Sequence, residues 1–286
     1  MSKAGVRVVT DSTCDLSHAE IDNLGVVVVP LTVSFGQEVF YDGQLSKDEY
    51  WEKADGPFWP KTSQPSLGAF DRAFARQVDE GYDVLCLTLL TRYSGTYGTA
   101  CAAAHRFGDR VTVLDSGTVS AGLGWQVIAA AEAAAAGAGL DDLADLTTDM
   151  ARRTRLYAAL DTIENVRKGG RIDNLIPLLD RLLRVFDLKF VLTVANGQIG
   201  LAGAARSHER ALERVREGSL ELAPLEKVAI LHTRAAERAA AFAVTLARDS
   251  GLDSNRVGVV EGGPVLACHA GPNVVGAFIL TKSPPA

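Results

Sequence analysis

Four short apolar runs rich in β-branched residues punctuate the first half of the chain: Val6 to Thr10, Val26 to Pro30 with a continuation to Val33, Asp83 to Leu90, and Val111 to Leu114. Helix-like segments separate them. Leu16, Ala19, Ile21 and Leu24 suit a short helix, and Ser66 to Asp79 places Leu67, Phe70, Phe74 and Val78 at three- and four-residue spacing. Tyr97, Ala100, Cys101 and Ala104 share another helical face, and a further helix is predicted from about Ser120. Strand–helix alternation of this kind forces a parallel sheet, because each strand can be followed by a parallel neighbour only through a crossover that covers a face. A doubly covered sheet follows, and its strands are apolar on both sides.

Beyond about residue 150 the rhythm changes. Leu156 to Leu160 reads as a strand, and Thr162 to Lys168 as a short helix stopped by Gly169-Gly170. Leu188 to Val194 and Gln198 to Ala205 flank Asn196-Gly197, a type I′ hairpin signal. Lys227 to His232 and Arg256 to Glu261 enclose an Ala-rich helix from Ala235 to Asp249, and Val274 to Leu280 is the last strand. The 286 residues therefore divide into a parallel, Rossmann-like α/β domain over 1–152 and a mixed α/β domain with an antiparallel hairpin over 153–286. An apolar fraction of 47% is enough to bury cores in both. Gly36 to Pro60 has no clear period, and its Trp51, Phe58 and Trp59 are expected to cover a core edge or line an apolar cavity.

Charge and motifs exclude several function classes. Lys and Arg number 29 against 35 Asp and Glu, a net charge of −6 that argues against nucleic acid as the partner. No GxxxxGK[ST] or GxGxxG fingerprint occurs, since Gly122-Leu-Gly124 lacks its third glycine, so nucleotide binding is disfavoured. Cys14, Cys86, Cys101 and Cys268 form no CxxC pair and have no histidine at ligand spacing, so no metal or other cofactor is expected. Without a long apolar leader ahead of Val6, a reduced, cytoplasmic protein is predicted, with at most transient membrane contact.

Chemistry concentrates at the strand ends. Thr10 to Cys14, Leu90 to Tyr97 and Leu114 to Ser120 are each a strand followed by Ser, Thr and Gly and then a helix, and Lys61-Thr-Ser-Gln-Pro-Ser66 precedes another helix. Helix capping explains any one of them. Together they resemble the place where open parallel sheets bind ligands, with helix N-termini converging on an anion. Ser94, Gly95 and Thr96 offer two hydroxyls and a residue without Cβ, which suits a carboxylate or phosphate. Arg167-Lys-Gly-Gly-Arg171 reads either as a basic helix C-terminus or as a guanidinium, Arg171, for an anionic head group. His269 falls in Ala267-Cys-His-Ala-Gly-Pro-Asn273, read as a turn between strands, where it is structural or, with a Ser or Thr, a base.

Asp11-Ser12, Thr62-Ser-Gln-Pro-Ser66, Ser94-Gly-Thr-Tyr97, Asp115-Ser116, Ser120-x-Gly-x-Gly124, Lys168-Gly-Gly-Arg-Ile172 and His269-x-Gly-Pro272 occur in an order that resembles the DegV family, from Val6 to about Leu280. The resemblance implies two α/β domains holding a long-chain fatty acid between them, the first binding the head group and the second enclosing the chain. It also implies a carrier rather than an enzyme, one that presents the acyl carboxylate to a separate fatty acid kinase subunit for phosphorylation. Position by position, Thr62, Ser63 and Ser94, with Gly95 and Thr96, would hold the carboxylate, while Arg171 and His269 would support that network. The chain departs from the family pattern at Leu90-Thr-Arg-Tyr93, at Lys189-Phe190, at Asn196-Gly197 and at Asn273. A rival reading is a serine-dependent acyl hydrolase or transferase using Ser94 or Ser63 with His269, weakened by the lack of a GxSxG elbow.

Overall fold

The alternation in the first half of the chain produces four parallel strands. The computed structural model describes residues 5–172, 176–183 and 188–283. The chain divides into two units, Met1–Ala151 with Gly263–Val265, and Arg152–Gly262 with Leu266–Ala286.

In the first unit, β1 (Val6–Asp11) is followed by α1 (His18–Leu24) and β2 (Val27–Val29). Next come β3 (Thr32–Phe35), β4 (Glu38–Tyr41), α2 (Lys47–Ala54), β5 (Lys61–Ser63) and α3 (Leu67–Asp79). The unit continues through β6 (Asp83–Thr88), α4 (Thr96–Ala104), β7 (Val111–Asp115), α5 (Ala121–Ala135) and α6 (Leu140–Arg153). The parallel sheet has the order β2-β1-β6-β7. Strand alternation sends Val6, Val8, Leu85 and Leu87 to one face, where Leu123, Val127 and Leu143 of α5 and α6 cover them. Val9, Val84 and Cys86 go to the other, under Phe70 and Phe74 of α3 and Ala100 and Ala103 of α4. Each such large side chain contributes about 1.5–3 kcal/mol on burial, so both faces of the sheet are held by apolar packing.

The continuation of the second strand to Val33 does not occur. Pro30 has no N–H to give a ladder, and the Leu31 N–H goes instead to Ser12 Oγ at 3.1 Å. The chain therefore leaves the parallel sheet at Val29 and enters a small antiparallel one of order β4-β3-β5. Within Gly36 to Pro60, α2 starts at a capping box of Ser46 and Glu49. It buries Tyr50 and Trp51, whose rings lie 5.0 Å apart, with Tyr50 5.8 Å from Phe35. Trp51 thus covers a core edge as expected, whereas Phe58 is exposed and lies over Gly36.

The second unit contains β8 (Thr154–Ala159), α7 (Glu164–Gly169), α8 (Ile176–Leu183), β9 (Lys189–Ala195), β10 (Gln198–Ala205) and α9 (His208–Leu220). It ends with β11 (Leu225–His232), α10 (Ala236–Ser250), β12 (Val257–Glu261), α11 (Pro264–Ala270) and β13 (Val275–Thr281). Its sheet has the order β10-β9-β8-β13-β11-β12, antiparallel except for β11 with β12. The β9–β10 turn has Asn196 and Gly197 at φ of 49° and 72°, the left-handed pair that a type I′ hairpin needs. Ala211 and Val215 of α9, with Phe242 and Leu246 of α10, pack on one face of this sheet.

His269 lies on a helix, not in the expected turn. Pro264 occupies the first position of α11, where its missing N–H costs nothing, and Gly271 at φ 80° ends the helix with its N–H on Ala267 O at 2.8 Å.

Gly124 shows how closely α5 approaches the first loop. A Cβ there would lie 2.7 Å from the Cys14 carbonyl oxygen and 3.1 Å from Leu16 Cδ2. Gly124→Ala should lower stability by about 1–3 kcal/mol through overpacking against backbone. Gly98→Ala on α4, with no described atom within 4 Å of the new Cβ, should stabilise by up to about 1 kcal/mol. Chemical denaturation of both variants checks the opposite signs.

Candidate functional site

In the order β2-β1-β6-β7 the chain steps to one side of β1 and then to the other, so the carboxyl ends of β1 and β6 frame the switch point where such sheets bind ligands. Asp11 stands there, fully buried. Its Oδ1 accepts the Thr13 N–H at 2.9 Å and the Thr13 hydroxyl at 2.6 Å, and its Oδ2 accepts the Leu89 N–H at 2.7 Å. Burial pushes the Asp11 carboxyl above its ordinary range, and these donors work against that rise. One carboxylate thereby joins the loop after β1 to the loop after β6. Asp115 adds a second staple, accepting Thr91 N–H at 3.1 Å and Gly117 N–H at 2.9 Å.

The loop after β6 delivers Ser94, Gly95 and Thr96 to the start of α4. Ser94 Oγ and Thr96 Oγ1 share a hydrogen bond of 2.8 Å, and Ser94 Oγ accepts the Thr96 N–H at 3.3 Å. Gly95 is the N-cap and has no side chain, so the side-chain bond to the start of α4 comes from Ser94, one residue ahead of the cap. By contrast Ser66 stands at the N-cap position itself and caps α3 through the Ala69 N–H, the usual capping bond.

The second hydroxyl pair is divided by strand geometry. On β5, Thr62 pairs with Val33 and Ser63 with Thr32, so the two side chains point to opposite faces of the small sheet. Thr62 shares the face of buried Val33, and Ser63 is exposed. Just past the strand, Gln64 crosses to α4, where its Nε2 donates to Thr99 Oγ1 at 2.7 Å. Through Gln64 the structure brings the end of β5 beside the start of α4, with the Ser63 side chain turned away from the Thr62 face.

Arg171 and His269 come together within the second unit. α7 ends at Gly169, and Gly170 takes the left-handed conformation with its N–H on Arg167 O, so the two glycines are a helix C-terminus. Arg171 Nη1 donates to Gly169 O at 2.7 Å, and a Cβ on Gly169 would meet His269 Nδ1 at 2.6 Å. Burial, followed by the Arg171 charge, lowers His269 to about 4. The imidazole is consequently neutral at pH 7, and its basicity lies well below the range a general base needs.

Sequence reading missed a half-buried acidic pair. Asp15 Oδ2 accepts a short hydrogen bond from the Ser120 hydroxyl, and its Oδ1 accepts the Gly263 N–H at 3.0 Å. Asp42 accepts from the Ser12 hydroxyl and from the Val265 N–H. Those bonds hold Gly263–Val265 in the first unit, 248 residues from Asp15 along the chain, so no local signal could have revealed them. Among the described residues no group of three or more His, Cys, Asp or Glu is placed to hold a metal ion, and no helix is long and apolar enough to cross a membrane. The four cysteines are free thiols.

Comparison with known proteins covers almost all of the chain. The family model described as uncharacterised proteins of the DegV family matches residues 5–282. A DegV domain-containing protein of Deinococcus radiodurans is 36% identical over 285 residues, spanning 96% of this chain and 98% of its own. One from Streptomyces coelicolor is 30% identical over 282 residues, spanning 97% and 99%. Among solved structures, a DegV family protein from Thermus thermophilus described for its fatty acid binding superposes with a TM-score of 0.87 at 32% identity, covering 96% of this chain and 99% of that one. A stearic acid-binding protein from Eubacterium ventriosum gives a TM-score of 0.87 at 25% identity, covering 97% and 98%.

Burial pushes Asp15 up to about 7 and Asp42 to about 6. The folded chain keeps these protons at pH values where the unfolded chain, with carboxyls near about 4, has lost them. Stability should therefore be fully present below about pH 4 for these groups and fall as pH rises to about 7. Asp15→Asn keeps an acceptor for the Gly263 N–H without a charge to desolvate. Its gain in stability should be roughly 1–3 kcal/mol larger at pH 8 than at pH 5. Equal shifts of the unfolding midpoint at the two pH values would refute the titration.

Proposed function

The chain belongs to the DegV family, and on that premise we propose that it binds a long-chain fatty acid whose carboxylate is received by the Thr62 and Ser94–Thr96 loops. The observation that carries this reading is the start of α4. α4 begins at Thr96 behind Gly95, an N-cap without a side chain, flanked by a Ser94–Thr96 hydroxyl pair and adjoined by the end of β5, at the switch point of a parallel sheet. Such an arrangement offers several uncharged donors to one anion. The fatty acids described for the Thermus thermophilus and Eubacterium ventriosum proteins supply an anion of that kind with an apolar body. Ser63, whose side chain lies on the other face of β5, and Arg171 with the neutral His269 are carried forward as proposed contributors to carboxylate binding.

Affinity comes from the tail. Burying methylenes contributes about 0.8 kcal/mol each, so a long acyl chain supplies roughly 10 kcal/mol before ordering costs. The head-group loops then need only fix orientation. Uncharged hydroxyls suit a carrier that later exposes the carboxylate, and we extend the proposal to a carrier that works in the cytoplasm and presents the acid to a separate kinase subunit. Ser94 bonds to Thr96, and a pKa lowered to about 4 makes His269 a weak base, so the carrier reading is preferred to acyl hydrolysis.

Mass spectrometry of the native and then the denatured protein should release one equivalent of a long-chain fatty acid. A protein that stays empty and fails to take up oleate or palmitate contradicts the proposal. Thr62→Ala and Ser94→Ala should each weaken binding about tenfold or more, since a hydrogen bond to a charged group is worth about 1.5–3 kcal/mol, with little change in unfolding midpoint. With ATP alone the loaded protein should form no acyl phosphate, and with an added fatty acid kinase subunit it should.

A further inference from the structure

We propose that Gln64 is a positioning residue that sets the spacing between the Thr62 strand end and the Ser94 loop, and through it the fit of the carboxylate. The inference rests on the fatty-acid reading above and names a residue to which no binding role has been assigned.

The two segments belong to different sheets. β5 is a three-residue edge strand whose ladder runs only to β3, while Ser94 follows β6 of the parallel sheet. No strand pairing therefore fixes the distance between them. Gln64 supplies a cross-tie. Its Nε2 donates to Thr99 Oγ1 at 2.7 Å, and its amide lies across the first turn of α4 so closely that a Cβ on Gly95 would meet Oε1 at 2.0 Å, Cδ at 2.8 Å and Nε2 at 3.0 Å. Gly95 and Thr99 are four residues apart and so lie one above the other on the helix. A single primary amide spans that turn, passing over the glycine and ending on the threonine. Gly95 is thereby explained. It clears the path that Gln64 takes, and any side chain there displaces the amide.

Glutamine also fits electrostatically. It is long enough to reach Thr99 and carries no charge, so the N-terminal end of α4, which favours anions, is left to the ligand. A glutamate of the same length would still meet the Thr99 hydroxyl but would place a competing carboxylate at that helix end. Its effect on binding should therefore depend on pH, as no purely structural defect would.

The test uses the full chain with oleate, in wild type, Gln64→Ala, Thr99→Val, the double variant, Gln64→Glu and Gly95→Ala, with ligand-free amide NMR spectra of each. Gln64→Ala and Thr99→Val should each weaken oleate binding about three- to tenfold, the range of one neutral hydrogen bond. The double variant should be no weaker than either single one, because both remove the same bond. Gly95→Ala should match them, and Gln64→Glu should lose affinity progressively as pH rises through the glutamate range. In the ligand-free spectra the Thr62 and Ser94 amides should move alike in Gln64→Ala and Thr99→Val. Unchanged affinity and an unmoved Ser94 amide in Gln64→Ala would overturn the proposal, as would effects that add in the double variant. If the wild type takes up no oleate, the fatty-acid reading falls, and the ligand-free spectra decide on the tie by themselves: a shared displacement supports it and none overturns it.

Discussion

A carboxylate buried at the end of a parallel strand is costly unless donors surround it, and Asp11 is kept in place by three of them. Two come from Thr13, which closes the tight turn after β1, and the third is the Leu89 amide at the end of β6. The loops on either side of the switch point are therefore not independent. Removing the acceptor would leave a buried amide unsatisfied and release the chain that leads to Ser94. Asp115 repeats the device one strand further along, through Thr91 and Gly117. Rigid hydroxyl placement at α4 follows from these two acids, although neither presents itself as a ligand.

The parallel architecture was legible because it depends on local patterning. Apolar runs such as Asp83 to Thr88 are buried on both faces, and Phe70 and Phe74 keep helical spacing, so period and composition agree. The same holds for the Asn196-Gly197 hairpin, where two positive φ angles demand those residues. What escaped was whatever depends on a distant partner or a single competing residue. Pro30 ended the second strand, and the ladder that Val33 joined belongs to another sheet. Pro264 started a helix under His269 in a stretch whose glycines read as a turn. The family pattern placed Thr62 and Ser63 together as ligands, yet adjacency on a strand is what sends their side chains to opposite faces. The Asp15 and Asp42 bonds to Gly263 and Val265 left no trace in local sequence at all.

Helix capping and ligand binding draw on the same backbone groups, which is why motif inspection could not separate them. The structure divides the candidates by what their oxygens already do. Ser66 accepts from the Ala69 amide and Ser17 from the Glu20 amide, so those hydroxyls are committed to their own helices. Ser94 lies one residue ahead of the Gly95 cap position and bonds to Thr96 at the helix start, without a cap bond of the usual kind. A hydroxyl pair can rotate its protons toward an arriving anion without breaking a helix end.

Neutrality is shared by the first-unit groups proposed to receive an anion, in a chain of net charge −6. Thr62, Ser94 and Thr96 carry no charge, and Gln64 lies across α4 without adding one. A lysine at the start of α4 would bind a carboxylate more strongly, but it would lie against a positive helix end and would resist release. Where burial of methylenes supplies most of the affinity, a strong ion pair is unnecessary for retention and unfavourable for transfer. Donors that orient without clamping are therefore the arrangement that a carrier of an apolar acid requires, and the cost they impose is geometric: their spacing has to be held by something other than charge.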